Sequence, residues 1–275
     1  MKILVAVPIF NEAQYVSPVL REIRKYARAA AIASGVTVRL LVVDDGSTDA
    51  TPARLAELAA RNHIDLLTHP ENRGYGQSLI DAFAFADAHD YDWVITMDCD
   101  EQHEPCRIPL FIRECLKNDA DIISGSRYLG ADADGSPPPD RRNINRLITD
   151  LLNSSLHLRI VDRPLPSPNQ PPAGLTDAFC GFKAHRTAAL RRLALTIPGY
   201  AFPMQFWVQV DANALRVREM PVKLIYKDAT RHFGGMLDDP TVRLRHYLEV
   251  LAAERTAVRD VPALYPSACT AMCDL

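Results

Sequence analysis

The chain is predicted to fold as an α/β protein, a mostly parallel, doubly wound sheet flanked by helices. Short apolar runs alternate with amphipathic stretches through the first 130 residues, and strand, helix, strand in repetition implies parallel pairing with right-handed crossovers. Three of those apolar runs end in polar clusters, Phe10-Asn11-Glu12, Asp44-Asp45-Gly46-Ser47 and Asp98-Cys99-Asp100. Open parallel sheets offer ligands that same carboxyl-end rim. Finally, 275 residues at 48% apolar composition are enough to bury a full core.

Lys2 to Val7 is a continuous apolar strand candidate, and Val16 to Ala33 carries Val16, Val19, Leu20, Ile23 and Tyr26 at helical spacing. Val38 to Val43 is again strand-like. Ser47 or Thr48 is suited to cap a helix over Asp49–Arg61, with Pro52 tolerated in its first turn. Asp65 to Thr68 reads as a short strand, Tyr75 to Ala88 as a helix, and Trp93 to Met97 and Asp121 to Ser124 as strands. The second half is less regular. Asn143 to Leu158 has leucines and isoleucines at helical intervals, Arg216 to Tyr226 looks like a strand, and Thr241 to Glu254 like a closing helix. Pro137 to Pro139 and the five prolines of Pro164–Pro172 mark loops.

A net charge of −3 without a long basic stripe gives no electrostatic basis for nucleic-acid binding. The six cysteines form no CxxC pair and show no zinc-finger spacing to His, so free thiols in a reducing cytoplasm are expected. The N-terminal MKILVAVPIFNEA reads as a buried strand, because Pro8, Asn11 and Glu12 arrive before any small-residue cleavage site. No run of about 18 apolar residues predicts a membrane span.

The stretch WVITMDCDEQHEP, residues 93 to 105, carries the chemistry. Side chains alternate along an extended chain, so Asp98 and Asp100 leave the backbone on one side. Paired carboxylates repel unless a cation lies between them, and a hard divalent ion, Mg²⁺ or Mn²⁺, prefers one or two such ligands plus substrate phosphates. An ion there would bridge the protein to a diphosphate and offset the charge that grows as a nucleoside diphosphate leaves.

The segments PIFNE (8–12), VVDDGSTDAT (42–51), NRGYGQS (72–78), MDCDEQHEP (97–105), GSRY (125–128) and DAFCGFK (177–183) together resemble a family 2 glycosyltransferase of the GT-A fold. The branch resembled is the dolichol-phosphate mannosyltransferase and polyprenyl-phosphate glycosyltransferase group. The resemblance implies a nucleotide-sugar-binding half over residues 1–130, an acceptor-binding half of the same domain over 131–260, and a tail over 261–275. It implies that Pro8, Phe10 and Glu12 border the nucleotide, with Phe in place of the usual Tyr, that Val43 and Asp45 hold base and ribose, and that Asp44 supports their loop. Asp98, Asp100 and Gln102 match the metal and diphosphate positions, with Cys99 where a small residue usually stands. Arg127, with Arg141 or Arg142, and Arg231 in RHFGG resemble arginines that grip phosphate, a task suited to a planar guanidinium.

Direct displacement with inversion at the sugar carbon is the implied reaction, transferring mannose or glucose from GDP-mannose or UDP-glucose. A lipid monophosphate acceptor is already ionised at neutral pH and needs no strong base. A hydroxyl acceptor would need one, and Asp177 is the candidate. A cytoplasmic enzyme at the cytoplasmic face of a membrane is expected, with Arg141–Leu158 suited either to an interfacial position or to packing on the core; a homo-oligomer is compatible with the sequence.

Some features point two ways. Gly74 and Gly76 suit a phosphate loop or a plain strand-to-helix turn, and His103 a third metal ligand, a phosphate donor or polar surface. Cys180 lacks a paired His in its motif and is expected to pack. Phe206 and Trp207 suit an acceptor groove or the core. His63, His69, His89, His157, His185 and His246 show no ligand spacing. The chain also departs from the family pattern: no Lys follows the late Arg-x-x-Gly, Gln205 stands where relatives often carry Glu, and a Pro-rich loop precedes DAFCGFK. An acceptor other than a polyprenyl phosphate is therefore compatible. A catalytically idle GT-A domain and a nucleotidyltransferase are the alternatives from other classes.

Overall fold

The computed structural model describes residues 1–129, 137–161, 174–223, 225 and 234–260. Its centre is one eight-stranded sheet, ordered β3-β2-β1-β4-β7-β5-β8-β6. The strands are β1 (Lys2–Ile9), β2 (Thr37–Asp44), β3 (Asp65–Thr68), β4 (Trp93–Thr96), β5 (Ile122–Ser126), β6 (Arg159–Ile160), β7 (Lys183–Arg186) and β8 (Arg216–Pro221). The helices are α1 (Ala13–Ser34), α2 (Thr51–Ala60), α3 (Tyr75–Ala88), α4 (Ile108–Lys117), α5 (Pro139–Ser155), α6 (Thr187–Leu190), α7 (Phe202–Ala212) and α8 (Pro240–Asp260).

The chain runs outward from β1 through β2 to β3, then returns to place β4 on the other flank of β1, all in parallel register. That reversal beside β1 is the topological switch point, and it opens a crevice at the strand ends carrying Glu12, Asp45 and Asp98. Both faces of the sheet are covered. Val16, Leu20 and Ile23 of α1 pack with Phe111 and Ile112 of α4 against one face. Leu79 and Phe83 of α3, Ile148 and Leu152 of α5, and Phe206 and Trp207 of α7 pack against the other. A core continuous on both faces explains why β1 reads as an unbroken apolar run instead of an alternating one.

The mostly parallel sheet has one antiparallel member, β7, which pairs antiparallel with both β4 and β5. From Phe182 to His185 apolar and polar residues alternate, a pattern that ordinarily marks one solvated face. Here Lys183 and His185 are buried along with Ala184. The Lys183 ammonium donates to the Cys180 carbonyl and lies 5.5 Å from the Trp207 ring centroid, while His185 packs on Phe83 and Phe206.

Several element ends also shift. The first turn of α2 is not capped by Ser47 or Thr48: its N-cap is Ala50, and Asp49 Oδ1 accepts the Thr51 N–H at 2.8 Å. Ser47 is spent elsewhere, its Oγ accepting the Asn11 N–H at 2.9 Å. α5 begins at Pro139, earlier than the expected Asn143, and ends at Ser155, before the extended Leu156. β8 ends at Pro221, short of the expected Tyr226, and α8 runs past Glu254 to Asp260. Pro164–Pro172, Arg231 and the tail 261–275 lie outside the described residues.

Candidate functional site

A cavity of about 560 Å³ opens over the carboxyl ends of β1, β2 and β4. Pro8, Phe10 and Glu12 leave β1 along one wall, Asp45 follows β2, and Asn72, Gly74, Tyr75 and Ser78 close that side. Asp98, Cys99, Asp100 and Gln102 form the adjacent wall, and Arg127, Tyr128, Arg141 and Asn145 the far one. Phe179, Tyr200, Arg243 and Tyr247 complete the enclosure.

The first two loops are fixed to one another by local hydrogen bonds. Asn11, in the left-handed region at φ 55°, turns its side-chain oxygen to the Thr48 N–H at 2.8 Å and the Asp49 N–H at 3.3 Å. Asp44 is buried and accepts the Ser47 N–H at 3.1 Å, so it supports the turn from beneath. Gly46 is required here: at φ 72°, a Cβ would stand 2.3 Å from the Glu71 carbonyl carbon. Asp45 accepts the N–H groups of Arg73 and Gly74 at 2.8 and 2.9 Å, which draws the loop before α3 against the cavity. Gly74 and Gly76 press on the Ile197–Pro198 backbone, within 2.4 Å of where their Cβ atoms would be. The strand-to-helix turn is therefore a packing device, although Gly74 also lines the cavity.

The wall formed by residues 98–102 turns sharply, with Glu101 at φ 59°, a conformation that costs a non-glycine residue free energy and is held by its surroundings. Asp100 Oδ1 accepts the Gln102 N–H at 3.0 Å. Asp98 Oδ1 accepts from the Tyr75 hydroxyl at 3.2 Å, and its carboxylate rests on Gly181, whose Cβ would stand 2.6 Å from Oδ2. Burial pushes the Asp98 carboxyl above the usual carboxylate range, against the Tyr75 hydrogen bond and the charges of Arg127 and Lys183. Among the described residues no three His, Cys, Asp or Glu side chains gather as a self-sufficient metal cage. Two carboxylates with the Gln102 amide on one wall fit a hard divalent ion that completes its shell with water and phosphate.

His103 is neither surface nor cavity wall. It is 5% exposed, its Nδ1 accepts the Asp98 N–H at 3.2 Å, and its ring packs on Phe182. Burial, helped by the charges of Arg127 and Lys183, pushes its pKa down to about 3, so the ring is neutral and braces the loop. Burial pushes the Cys99 thiol up to about 12 and the Cys180 thiol up to about 11. Both are protonated packing groups.

Two of the expected site residues stand off the cavity wall. Asp177 is fully buried and does not line the cavity. Its oxygens take Arg127 Nε at 2.6 Å, Arg127 Nη2 at 2.8 Å and Asn145 Nδ2 at 2.8 Å. Burial alone would raise its pKa, yet Arg127 and Asn145 bring it down to about 2, which is the wrong direction for a base working at neutral pH. Val43 is also fully buried and off the cavity wall, packed inside β2 with the core cluster of α3 and α7, two residues before Asp45 reaches the rim. Arg127 itself lines the cavity, its pKa raised by Asp177 against the effect of burial. Arg141 lines it too, whereas Arg142 does not. Phe206 and Trp207 are core residues, and the Trp207 indole N–H donates to the Ala178 carbonyl at 2.9 Å.

Sequence reasoning missed Tyr75, Asn145, Tyr200, Arg243 and Tyr247 on the walls. Tyr75 stands inside the quoted NRGYGQS segment, and its hydroxyl reach was the available signal. Arg243 and Tyr247 lie on the closing helix α8, and nothing local in the sequence marks them as facing a cavity.

The model of glycosyl transferase family 2 matches residues 4–188. The chain is 24% identical over 253 residues to the undecaprenyl-phosphate mannosyltransferase of Micrococcus luteus, covering 90% of this chain and 94% of that one. It is 33% identical over 129 residues to the dolichol-phosphate mannosyltransferase of Pyrococcus furiosus, a match covering 47% of this chain and 34% of that protein. Among solved structures, mannosyl-3-phosphoglycerate synthase from Rubrobacter xylanophilus superposes with a TM-score of 0.66 at 16% identity, covering 96% of this chain and 77% of that one. Glucosyl-3-phosphoglycerate synthase from Mycobacterium tuberculosis, solved with Mn²⁺, UDP and glucosyl-3-phosphoglycerate, gives 0.59 at 18% identity, covering 93% and 80%. The fold is GT-A, and with the family pattern extending across residues 4–188 the chain belongs to glycosyl transferase family 2.

Proposed function

We propose that the protein is an inverting, metal-dependent glycosyltransferase that moves mannose or glucose from GDP-mannose or UDP-glucose to a polyprenyl or dolichyl phosphate. The observation that carries this reading is the single cavity in which Asp98, Asp100 and Gln102 share walls with Glu12, Asp45 and Arg127. Asp45 and the Pro8–Glu12 segment receive the nucleoside end of the donor. Asp98, Asp100 and Gln102 would hold Mg²⁺ or Mn²⁺, which when bound offsets the charge of the departing diphosphate. Arg127 gives its Nε and Nη2 to Asp177, leaving its Nη1 edge for a phosphate oxygen, and Arg141 stands on the same wall.

The burial of Asp177 favours an acceptor that arrives already ionised, since the carboxylate expected to serve a hydroxyl acceptor is sealed off by Arg127. A phosphomonoester supplies its own anionic oxygen. The protein acts in the cytoplasm at the cytoplasmic face of a membrane. In support, α5 buries Ile144, Ile148 and Leu152 inward and presents Arg142, Arg146 and a half-exposed Leu147 outward, an outer face suited to anionic headgroups. No helix among the described residues is long and apolar enough to cross a membrane.

Incubation with radiolabelled GDP-mannose or UDP-glucose, Mn²⁺ and a polyprenyl-phosphate mixture tests the reaction. Lipid-linked product that disappears with Asp100→Ala is the expected result. Metal-dependent nucleotide binding without transfer or hydrolysis would show an idle domain, and pyrophosphate release from a nucleoside triphosphate a nucleotidyltransferase. Co-sedimentation with anionic liposomes tests the membrane site.

A further inference from the structure

His69 follows β3 at the edge of the sheet and is 4% exposed, although the sequence offers no ligand or catalytic spacing for it. Its Nδ1 lies 2.7 Å from Asp45 Oδ1, and its Nε2 lies 3.0 Å from Asp81 Oδ2 on α3. An ionised carboxylate only accepts, so the Nδ1 proton is directed at Asp45. The Asp81 contact is close but off the line of a good hydrogen bond. Asp81 is anchored by its own helix and the loop before it, taking Gln77 Nε2 at 2.9 Å and Arg73 Nη1 at 3.2 Å.

Asp45 lines the cavity with only 3% of its surface exposed. Its orientation is fixed by three donors: the Arg73 and Gly74 backbone N–H groups and His69. The first two are backbone groups, which no side-chain substitution removes, whereas His69 contributes through its side chain. Gly74 ties the carboxylate to the N-cap of α3, and His69 supplies the side-chain donor from the sheet edge, its backbone N–H bonded to the Asp44 carbonyl at 2.9 Å and its ring reaching α3.

We propose that His69 is a positioning residue of the donor site, holding the Asp45 carboxylate in the orientation that receives the nucleoside of a nucleotide sugar. The proposal rests on the reading of Asp45 as a nucleoside contact given under the proposed function. A side chain that orients a ground-state contact shifts nucleotide affinity and donor KM while leaving kcat in place.

The test uses the full chain and three variants, with UDP and GDP titrated calorimetrically in Mg²⁺ and donor KM and kcat measured in parallel. His69→Ala is expected to weaken nucleoside diphosphate binding about tenfold, the scale of one hydrogen bond to a charged group. His69→Asn places an amide N–H near the position of Nδ1 and is expected to stay within about threefold of wild type on the same scale. His69→Gln, whose amide reaches the Nε2 side, should behave like His69→Ala. Equal binding by wild type and His69→Ala overturns the proposal, as does His69→Asn binding no better than His69→Ala while both melt like wild type. Should the variants fail to fold, the ¹⁵N spectrum of the wild-type imidazole decides: a proton on Nδ1 supports the bond to Asp45, and an unprotonated Nδ1 overturns it. Wild-type protein that binds neither UDP nor GDP overturns the donor reading and the role of His69 in it together, whereas binding that ignores His69 overturns the latter alone.

Discussion

Arg127 and Asp177 meet as a fork, Nε to Oδ2 at 2.6 Å and Nη2 to Oδ1 at 2.8 Å, and the Arg127 backbone N–H adds a third bond at 3.1 Å. The pair joins the end of β5 to the segment that precedes β7, and through Asn145 it reaches α5. One end of a guanidinium that lines the cavity is therefore fixed by a carboxylate that never touches the cavity.

Removing that carboxylate separates a positioning role from a catalytic one. Asp177→Ala leaves Arg127 buried without its counter-charge and is expected to cost about 3 to 5 kcal/mol of stability. Urea denaturation checks this. An unchanged midpoint combined with abolished transfer would instead restore the role of general base.

Gly181 sits behind the Asp98 carboxylate, and a Cβ there would stand 2.6 Å from Oδ2 and 2.8 Å from the Tyr75 hydroxyl. Gly181→Ala should push Asp98 off its seat while the fold survives, because the carboxylate has the cavity to swing into. Changing the groups that orient a metal ligand typically costs about 10- to 100-fold in metal affinity, so Mn²⁺ affinity in the presence of nucleoside diphosphate is expected to fall by at least about tenfold on that scale. Paramagnetic relaxation of water by Mn²⁺ measures it, and affinity equal to wild type would show that Asp98 does not need this seat.

Much of the fold was legible because its signals are local. Asp65–Thr68 and Tyr75–Ala88 occupy the spans their periodicity predicts, and the rim of Glu12, Asp45 and Asp98 follows from strands that end together in parallel. β7 was not legible, since Lys183 and His185 look solvent-facing until distant partners, Trp207, Phe83 and Phe206, cover them. The same limit applied within the site. Asp177 resembles a base by position along the chain, and only the approach of Arg127 and Asn145 from other elements exhausts its oxygens. His69 carried no signal because both its carboxylate partners are remote in sequence.

His103 and His185 are neutral in the folded chain, each pushed down to about 3 by burial, with positive neighbours acting in the same direction. An unfolded histidine titrates near about 6.5. The folded value is the lower one, so as pH falls the unfolded chain takes up protons first. The stability present above about pH 6.5 is then lost progressively toward about pH 3, at about 1.4 kcal/mol per pH unit for each ring. Going from pH 7 to pH 5 should cost about 4 kcal/mol for the two rings. His185→Leu removes one of them, and its loss over the same interval should be about half that of wild type. Urea midpoints at the two pH values provide the comparison, and equal losses would contradict a neutral buried His185.

The surroundings of Gln205 on α7 require an amide. Its Oε1 accepts the Thr196 and Ile197 N–H groups at 2.7 and 3.0 Å, while its Nε2 donates to Thr196 Oγ1 at 3.1 Å and to Glu254 Oε2 at 2.9 Å. Gln209 occupies the other oxygen of Glu254 from one turn further along α7, at 2.6 Å. Together they bind α7 to α8 and to the segment whose Ile197 and Pro198 press on Gly74 and Gly76. A glutamate at 205 would keep the acceptor but replace the donor by a second carboxylate facing Glu254, in a position only 4% exposed. Gln205→Glu is expected to lose about 3 kcal/mol, the cost of an uncompensated buried charge. Glu254→Gln in the same chain should restore at least about 1.5 kcal/mol, a coupling characteristic of residues within one hydrogen-bonded network. Denaturation of the two single variants and the double variant gives the cycle. Because Gln205 does not line the cavity, donor KM in the rescued double variant should match wild type, and a KM that stayed raised after stability returned would place residue 205 in the donor site after all.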